Sequence, residues 1–360
     1  MLKKGDVING YRIMSDPTTS GGGRCVWAFA TKDNNEFFLK QFLDPKWPNM
    51  SSMGSAASKE ARRRECLIFE NRHRDVNQRI NPGGATGGNL VSAVDFFREG
   101  TTYYKVTERV SALSMANLGA LTLRQTAVVL RTLCQSVRQL HRNRIVHGDL
   151  KPENVLLQRS DTVDLYQAKV IDFDDSYPSG DPPPPDQIVG DQRFAAPEWL
   201  SYVKQDDHVT PAELTTMADI FTLALVFHVY LTGDLPGYDQ DRFGAPAEAI
   251  RAGETLEFDK RLHPNTVELM GRMTVLRHQE RPTIDLVLAS ITEEQYLHCV
   301  DGLSPVPRRP VVTSGGSAPP VVTRRVRINL GPTPPAASTP RAPAPRTPTT
   351  RLRKNFDSKE

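Results

Sequence analysis

The apolar residues of this chain change their spacing once, near residue 110, and that change limits the folds open to it. Before it lie short β-rich runs between Gly/Ser loops, at 25–31, 36–42, 89–97 and 101–110, with one helical stretch at 58–75. Runs of this kind read as a small antiparallel sheet. After it, the segments 123–142, 215–231 and 282–291 carry apolar residues at the 3.6-residue spacing of helices. The predicted class is therefore α+β, with a β-rich part at 1–110 and a larger helical part at 111–298. From Leu303 the pattern stops: twelve Pro occur and the only aromatic is Phe356. Such a segment buries too little apolar area to offset the entropy of ordering, so 299–360 is expected to be a disordered Pro/Thr/Arg-rich tail.

Composition narrows the function classes. Hydrophobic residues make up 38% and charged ones 24% of the 360 residues, which excludes a membrane bundle, a fibre or a wholly disordered chain. The longest apolar run, 220–231, is too short to span a bilayer. The first residues lack the apolar core of a signal peptide, so a cytoplasmic location is expected. The four cysteines, Cys25, Cys66, Cys134 and Cys299, show no metal-ligand spacing. The net charge of +3 is unevenly spread: residues 303–360 carry +9, which leaves −6 on the rest. A basic tail could meet nucleic acid, but Phe356 is its one aromatic residue on which a base could stack, and no nucleic-acid partner is expected.

The sharpest string is His147-Gly148-Asp149-Leu150-Lys151-Pro152-Glu153-Asn154, followed eighteen residues later by Asp172 after the apolar pair Val170-Ile171. It places a carboxylate, an ammonium and an amide on one loop, with a second carboxylate behind a strand. Two oxygen ligands with a lone Asp and Lys suit phosphoryl transfer, where positioning and charge neutralisation supply most of the catalysis. By residue type alone, a polar surface turn fits equally well.

The string closely resembles the catalytic loop of eukaryotic-like Ser/Thr protein kinases, and the resemblance runs in order from Tyr11 to Ile291. It implies a bilobal fold, a β-rich N-lobe and a helical C-lobe, with ATP and Mg2+ between them and a protein Ser or Thr as acceptor. By resemblance, Asp149 is the catalytic base and Lys151 meets the γ-phosphate, while Asn154 and Asp172 are the metal ligands and His147 packs. Lys40 matches the lysine that holds the α- and β-phosphates. Its glutamate partner is sought among Glu60, Glu65 and Glu70. Glu65 is chosen because Ala61, Ile68 and Phe69 share its helix face. Glu108 and Val110 match the hinge against which adenine hydrogen-bonds, with Thr107 behind it. Ala196-Pro197-Glu198, Asp219 and Arg281 match structural positions, with Glu198 paired to Arg281.

Four positions depart from the family pattern. In the glycine-rich loop Gly21, Gly22 and Gly23 are followed by Arg24, with Val26 as the family's roof valine; only the middle glycine is in register. Gly148 stands where an arginine usually precedes the catalytic Asp. Asp172-Phe173-Asp174 replaces Asp-Phe-Gly, and a capping or solvated role is expected for Asp174 ahead of an extra metal contact. Asp191 replaces a threonine. The string HGD and the segment 171–176 also resemble aminoglycoside and choline kinases, which leaves a small-molecule phosphotransferase as the alternative. A kinase-fold scaffold with little activity is a further one. In the tail, Ser304, Thr333, Thr339 and Thr347 each precede proline. These sites suggest autophosphorylation and docking of a phosphothreonine reader.

Overall fold

The computed structural model describes residues 2–20, 23–81, 88–112, 121–206 and 208–297. Gly21, Gly22 and the tail expected to be disordered lie outside them. The N-lobe is one antiparallel sheet of β1 (Val7–Ile8), β2 (Tyr11–Ile13), β3 (Cys25–Lys32), β4 (Asn35–Phe42), β5 (Ala93–Glu99) and β6 (Thr102–Glu108), in the order β1-β2-β3-β4-β6-β5. The alternation of a strand sorts its side chains. Ala28, Ala30 and Leu39 turn inward and pack with Tyr11, Ile13, Tyr104 and Val106. Trp27, Phe29, Phe38 and Lys40 take the opposite face and line the cleft.

Helix α1 (Ala56–Ile80) lies between β4 and β5 in the chain and is longer at both ends than the expected 58–75. Ser55 caps it by accepting the Ser58 N–H. Its Arg-rich surface hides the apolar period, which appears only as Cys66, His73, Val76 and Ile80 on the buried side. That side meets an aromatic cluster: the His73 ring is 4.3 Å from Phe69, 5.0 Å from Phe96 and 5.2 Å from Phe42.

The C-lobe is organised around two helices. In α2 (Leu123–Arg142) a capping box, Thr122 with Gln125, sets the start, and Leu130, Leu133, Val137 and Leu140 are fully buried. Helix α4 (Met217–Thr232) is apolar all round and runs through the middle of the core, as such helices must. Gly233 ends it at φ 96°, a left-handed position that suits glycine. The segments between α2 and α4 are β7 (Ile145–Val146), β8 (Val155–Arg159), β9 (Tyr166–Val170), β10 (Tyr177–Pro178) and α3 (Pro197–Val203). Helices α5 (Pro246–Arg251), α6 (Pro264–Met273) and α7 (Ile284–Ser290) complete the lobe. No helix among the described residues is long and apolar enough to cross a membrane.

Arg281 and Glu198 meet inside this lobe through two parallel hydrogen bonds, Nη1 to Oε1 at 2.7 Å and Nη2 to Oε2 at 2.8 Å. They tie α3 to the loop before α7, 83 residues on. The Arg281 guanidinium also donates to the carbonyls of Val275, Leu276 and Met217, so no donor group is left idle.

His73 predicts a pH response. Burial lowers its pKa well below the ordinary value, helped by repulsion from Lys105, Arg72 and Lys40 and opposed by Asp174. The folded state therefore holds it neutral while the unfolded chain takes up a proton below about pH 6.5. Stability should fall with falling pH, by about 1 kcal/mol between pH 6.5 and 5.5 and about 1.4 kcal/mol per further unit, until the folded pKa is reached. Urea unfolding of His73→Phe should lack this contribution. His228, whose pKa burial also lowers, keeps its own.

Candidate active site

The hairpin β8–β9 does the first assembly step. Its register pairs Val155 with Val170, which brings Asn154, just before β8, against Ile171, the residue before Asp172. The Ile171 N–H donates to the Asn154 carbonyl at 3.0 Å and closes the mouth of the hairpin. The loop ahead of it is fixed by Asp219 of α4, which is 2% exposed. Its carboxylate accepts the backbone N–H of His147 at 2.9 Å and of Gly148 at 3.4 Å, and it meets His141 Nε2 at 3.2 Å. His147 packs as expected, its ring 5.3 Å from Phe173 and its Nε2 on the Ile171 carbonyl.

Asp149 is thereby held with both of its carboxylate oxygens hydrogen-bonded. Oδ2 takes Lys151 Nζ at 2.8 Å and Asn154 Nδ2 at 3.1 Å, while Oδ1 takes the Asp191 N–H at 2.9 Å. Asp191, whose side chain binds Arg193 at 2.7 Å, lies 3.9 Å from Lys151. The residue in place of the family threonine thus supplies its backbone to Asp149 and its carboxylate to the loop's cations.

The cleft above encloses about 750 Å3, enough for a nucleotide. Asp149, Lys151, Asn154, Asp172 and Lys40 all line it, as do Gly23, Glu108 and Val110. Thr107 and the apolar Val91, Leu156 and Ile171 line it as well. Trp27 donates its indole N–H to the Ser20 carbonyl at 2.8 Å, fixing one flank of the glycine-rich loop.

Three expectations are corrected. Val26 is not among the residues lining the cleft; strand alternation turns it to the other face of β3, and Trp27 takes the roof position. Three consecutive glycines gave the sequence no phase, and the register is off by one residue. Nor does Glu65 meet Lys40: it is exposed on α1, and the Lys40 ammonium lies 2.6 Å from Asp172 and 2.8 Å from Asp174. The face of α1 that packs inward is that of Cys66 and His73. Asp174 is neither capping nor solvated. It is largely buried and also accepts from Lys105 at 2.8 Å. Burial raises its pKa, but Lys105 and Lys40 outweigh that and hold it well below the ordinary carboxylate range. Burial likewise lowers Lys40, and Asp172 and Asp174 together more than reverse it.

The model of the protein kinase domain family matches residues 75–296, more than half of the chain. This chain belongs to the protein kinase domain family. Among curated relatives, Protein kinase kin1 of Schizosaccharomyces pombe is 25% identical over 286 residues, 78% of this chain and 30% of the relative. Serine/threonine-protein kinase STY46 of Arabidopsis thaliana is 25% identical over 67% of this chain and 38% of its own. The ovarian-specific serine/threonine-protein kinase Lok of Drosophila melanogaster is 32% identical over 44% of this chain and 32% of its own. The chain spans about a third of the length of these relatives.

Membership of the family implies ATP and a divalent cation in the cleft, and the donor set fits both. Asn154 gives its amide nitrogen to Asp149, at 2.7 Å to the carbonyl and 3.1 Å to Oδ2, which turns its oxygen outward. With the Asp172 carboxylate this makes two hard oxygen donors of the kind that magnesium shares with phosphates. Asp172 sits at φ 65°, a left-handed conformation that costs a non-glycine residue about 1–2 kcal/mol. Lys40 on its carboxylate helps to hold it there.

Gly148 explains its own departure from the family. It lies at φ 80°, and a Cβ there would come within 2.5 Å of the Asp175 carbonyl. No arginine fits while the activation segment packs on this loop, as it does through the β7–β10 pairing of Val146 with Tyr177. Gly148→Ala should cost about 1–2 kcal/mol from backbone strain alone and more from the clash. It should also displace Asp175, read as a lower urea midpoint together with lost turnover.

Proposed function

We propose that this chain transfers the γ-phosphoryl group of ATP, as its magnesium complex, to Ser or Thr hydroxyls of proteins. The observation that carries the reading is the convergence of Asp149, Lys151, Asn154, Asp172 and Lys40 on one cleft behind a braced catalytic loop. Asp149 orients the acceptor hydroxyl and takes its proton as the oxygen attacks the γ-phosphorus and the bond to the β–γ bridging oxygen breaks. Lys151 neutralises charge on the γ-phosphoryl oxygens, and Lys40 holds the α- and β-phosphates. Asn154 and Asp172 would hold the magnesium, which would supply neutralisation of the phosphate charge. Glu108 and Val110 offer backbone groups to the adenine. Lys151 and the Glu198–Arg281 pair favour a protein acceptor over the small molecules of aminoglycoside and choline kinases. In this reading residues 1–110 are the N-lobe, 111–298 the C-lobe and 299–360 a tail, in a cytoplasmic protein.

Activity is proposed to need no activation-segment phosphate. Gly148 has no side chain with which to pair one. The hydroxyls of the segment are buried or bonded: Ser176 is 1% exposed and donates to the His147 carbonyl, Tyr177 is fully buried, and Ser179 accepts the Thr216 N–H. The Thr-Pro sites of the basic tail are proposed as autophosphorylation sites that, once modified, dock a phosphothreonine reader.

The test is γ-phosphate transfer from ATP-Mg by the full chain, alone and with a basic protein substrate. Asp149→Asn should lower the rate by roughly 10²–10⁴-fold, and pretreatment with phosphatase should leave the wild-type rate unchanged. Mapping should find phosphate on Ser or Thr, within 303–360 when no other substrate is present. Transfer to small molecules alone would replace this reading, and loss of activity on phosphatase treatment would overturn its regulatory part.

A further inference from the structure

Strands β4 and β6 pair in a register that sets Lys40 directly opposite Lys105. Both side chains turn to the cleft, 12% and 9% exposed. Like charges directly across a sheet destabilise it, and burial makes an unpaired ammonium costlier still. The sheet therefore tolerates this pair only with a carboxylate between the two cations. Asp174 is that carboxylate: Oδ2 lies 2.8 Å from Lys40 and Oδ1 2.8 Å from Lys105. Asp174 and Lys40 also line a second, small cavity, together with Arg24, Cys25, Asp44, Glu65, Arg72, His73 and Asp175.

Among the described residues the ion pairs of Lys40 are with Asp172 and Asp174, and none is with an acid of α1. Glu70 accepts the Tyr103 hydroxyl at 2.6 Å, Glu60 pairs with Arg63 at 3.5 Å, Asp75 pairs with Arg79 at 2.9 Å, and Glu65 lines the small cavity but is exposed. We propose that Asp174, and not a glutamate of α1, is the carboxylate that positions Lys40 for the nucleotide phosphates, with Lys105 as the counter-charge that holds Asp174 in place. A glycine at 174 would leave Lys105 facing Lys40 with no carboxylate between them. With Asp174 present, Lys40 keeps a partner when Asp172 turns to a cation. Both unusual residues, the buried strand lysine and the acid in place of glycine, thus belong to one device. Asp174 and Lys105 are positioning residues, since they act through Lys40.

The inference rests on the kinase reading only for its turnover arm, and the test has a second arm that needs no turnover. In the nucleotide-free full chain, Lys40 acylation by an amine-reactive reagent, mapped by mass spectrometry, should rise at least about threefold in Asp174→Asn. Breaking one partner of a buried pair releases the other. Glu65→Gln should not match that rise. In turnover, Asp174→Asn should raise KM for ATP by at least about tenfold, the scale of a lost buried charge contact, and by more than Glu65→Gln does. The double variant Lys105→Met/Asp174→Asn separates positioning from packing: Tm should recover toward wild type while KM for ATP stays high. Recovery of both would reduce Asp174 to a packing role and overturn the proposal. So would Lys40 labelling that is unchanged in Asp174→Asn, or equal effects from Glu65→Gln. A wild type without turnover would sink the kinase reading, and the labelling arm would still decide this one.

Discussion

A buried carboxylate, Asp219, is the constraint on which the site depends. Burying an ionised group is costly unless hydrogen bonds replace its water. Here the replacements are the His147 and Gly148 amides and the His141 ring. The same bonds that keep Asp219 tolerable inside α4 also fix the backbone of the catalytic loop. From that anchor the loop sets the direction of Asp149, Asp149 sets Lys151 and Asn154, and the β8–β9 register delivers Asp172. Removing the brace would release the loop while leaving every residue that performs chemistry unchanged.

Charge balance ties the two lobes together at one point. Lys40 and Lys105 come from the sheet, Asp172 and Asp174 from the C-lobe loop, and the four charges cancel in a region largely closed to water. Such pairs are weak sources of net stability because of their desolvation, but they are specific. Few alternative arrangements leave all four satisfied. The left-handed backbone of Asp172 is compatible with this reading, since local strain persists where its surroundings over-determine it.

Much of this was legible in the sequence, for reasons that differ by element. Helix α2 could be read to the residue because a capping box and a clean apolar stripe mark it. Helix α4 could be read because its apolar run stands alone in the chain. Asp149, Lys151, Asn154 and Asp172 were legible as a set because one short loop and one hairpin carry them. Helices α3, α5 and α6 were not, being short and opened by proline without a sustained period. The glycine run conceals the phase of β3, so the family pattern points to Val26 where Trp27 lines the cleft. On α1 the many arginines hide which face turns inward, so the sequence points to Glu65 although Cys66 and His73 mark the buried side. The Lys105–Asp174 contact spans 69 residues, and no local pattern encodes a partner at that distance. The signal available was only that a lysine interrupts an otherwise buried strand.

The contact between Gly148 and the Asp175 carbonyl bears on how such a chain can change over generations. Control of the activation segment by a phosphate would require a cation beside the catalytic Asp and a free hydroxyl to modify. The cation cannot be added while Asp175 occupies the space a Cβ would need, and a retreat of Asp175 on its own would remove the packing that orders the segment. Each change alone is harmful and only the two together would be useful. Lineages that inherit this contact are thus held away from that form of control by geometry, and new regulation has an easier route through surfaces that the catalytic loop does not touch.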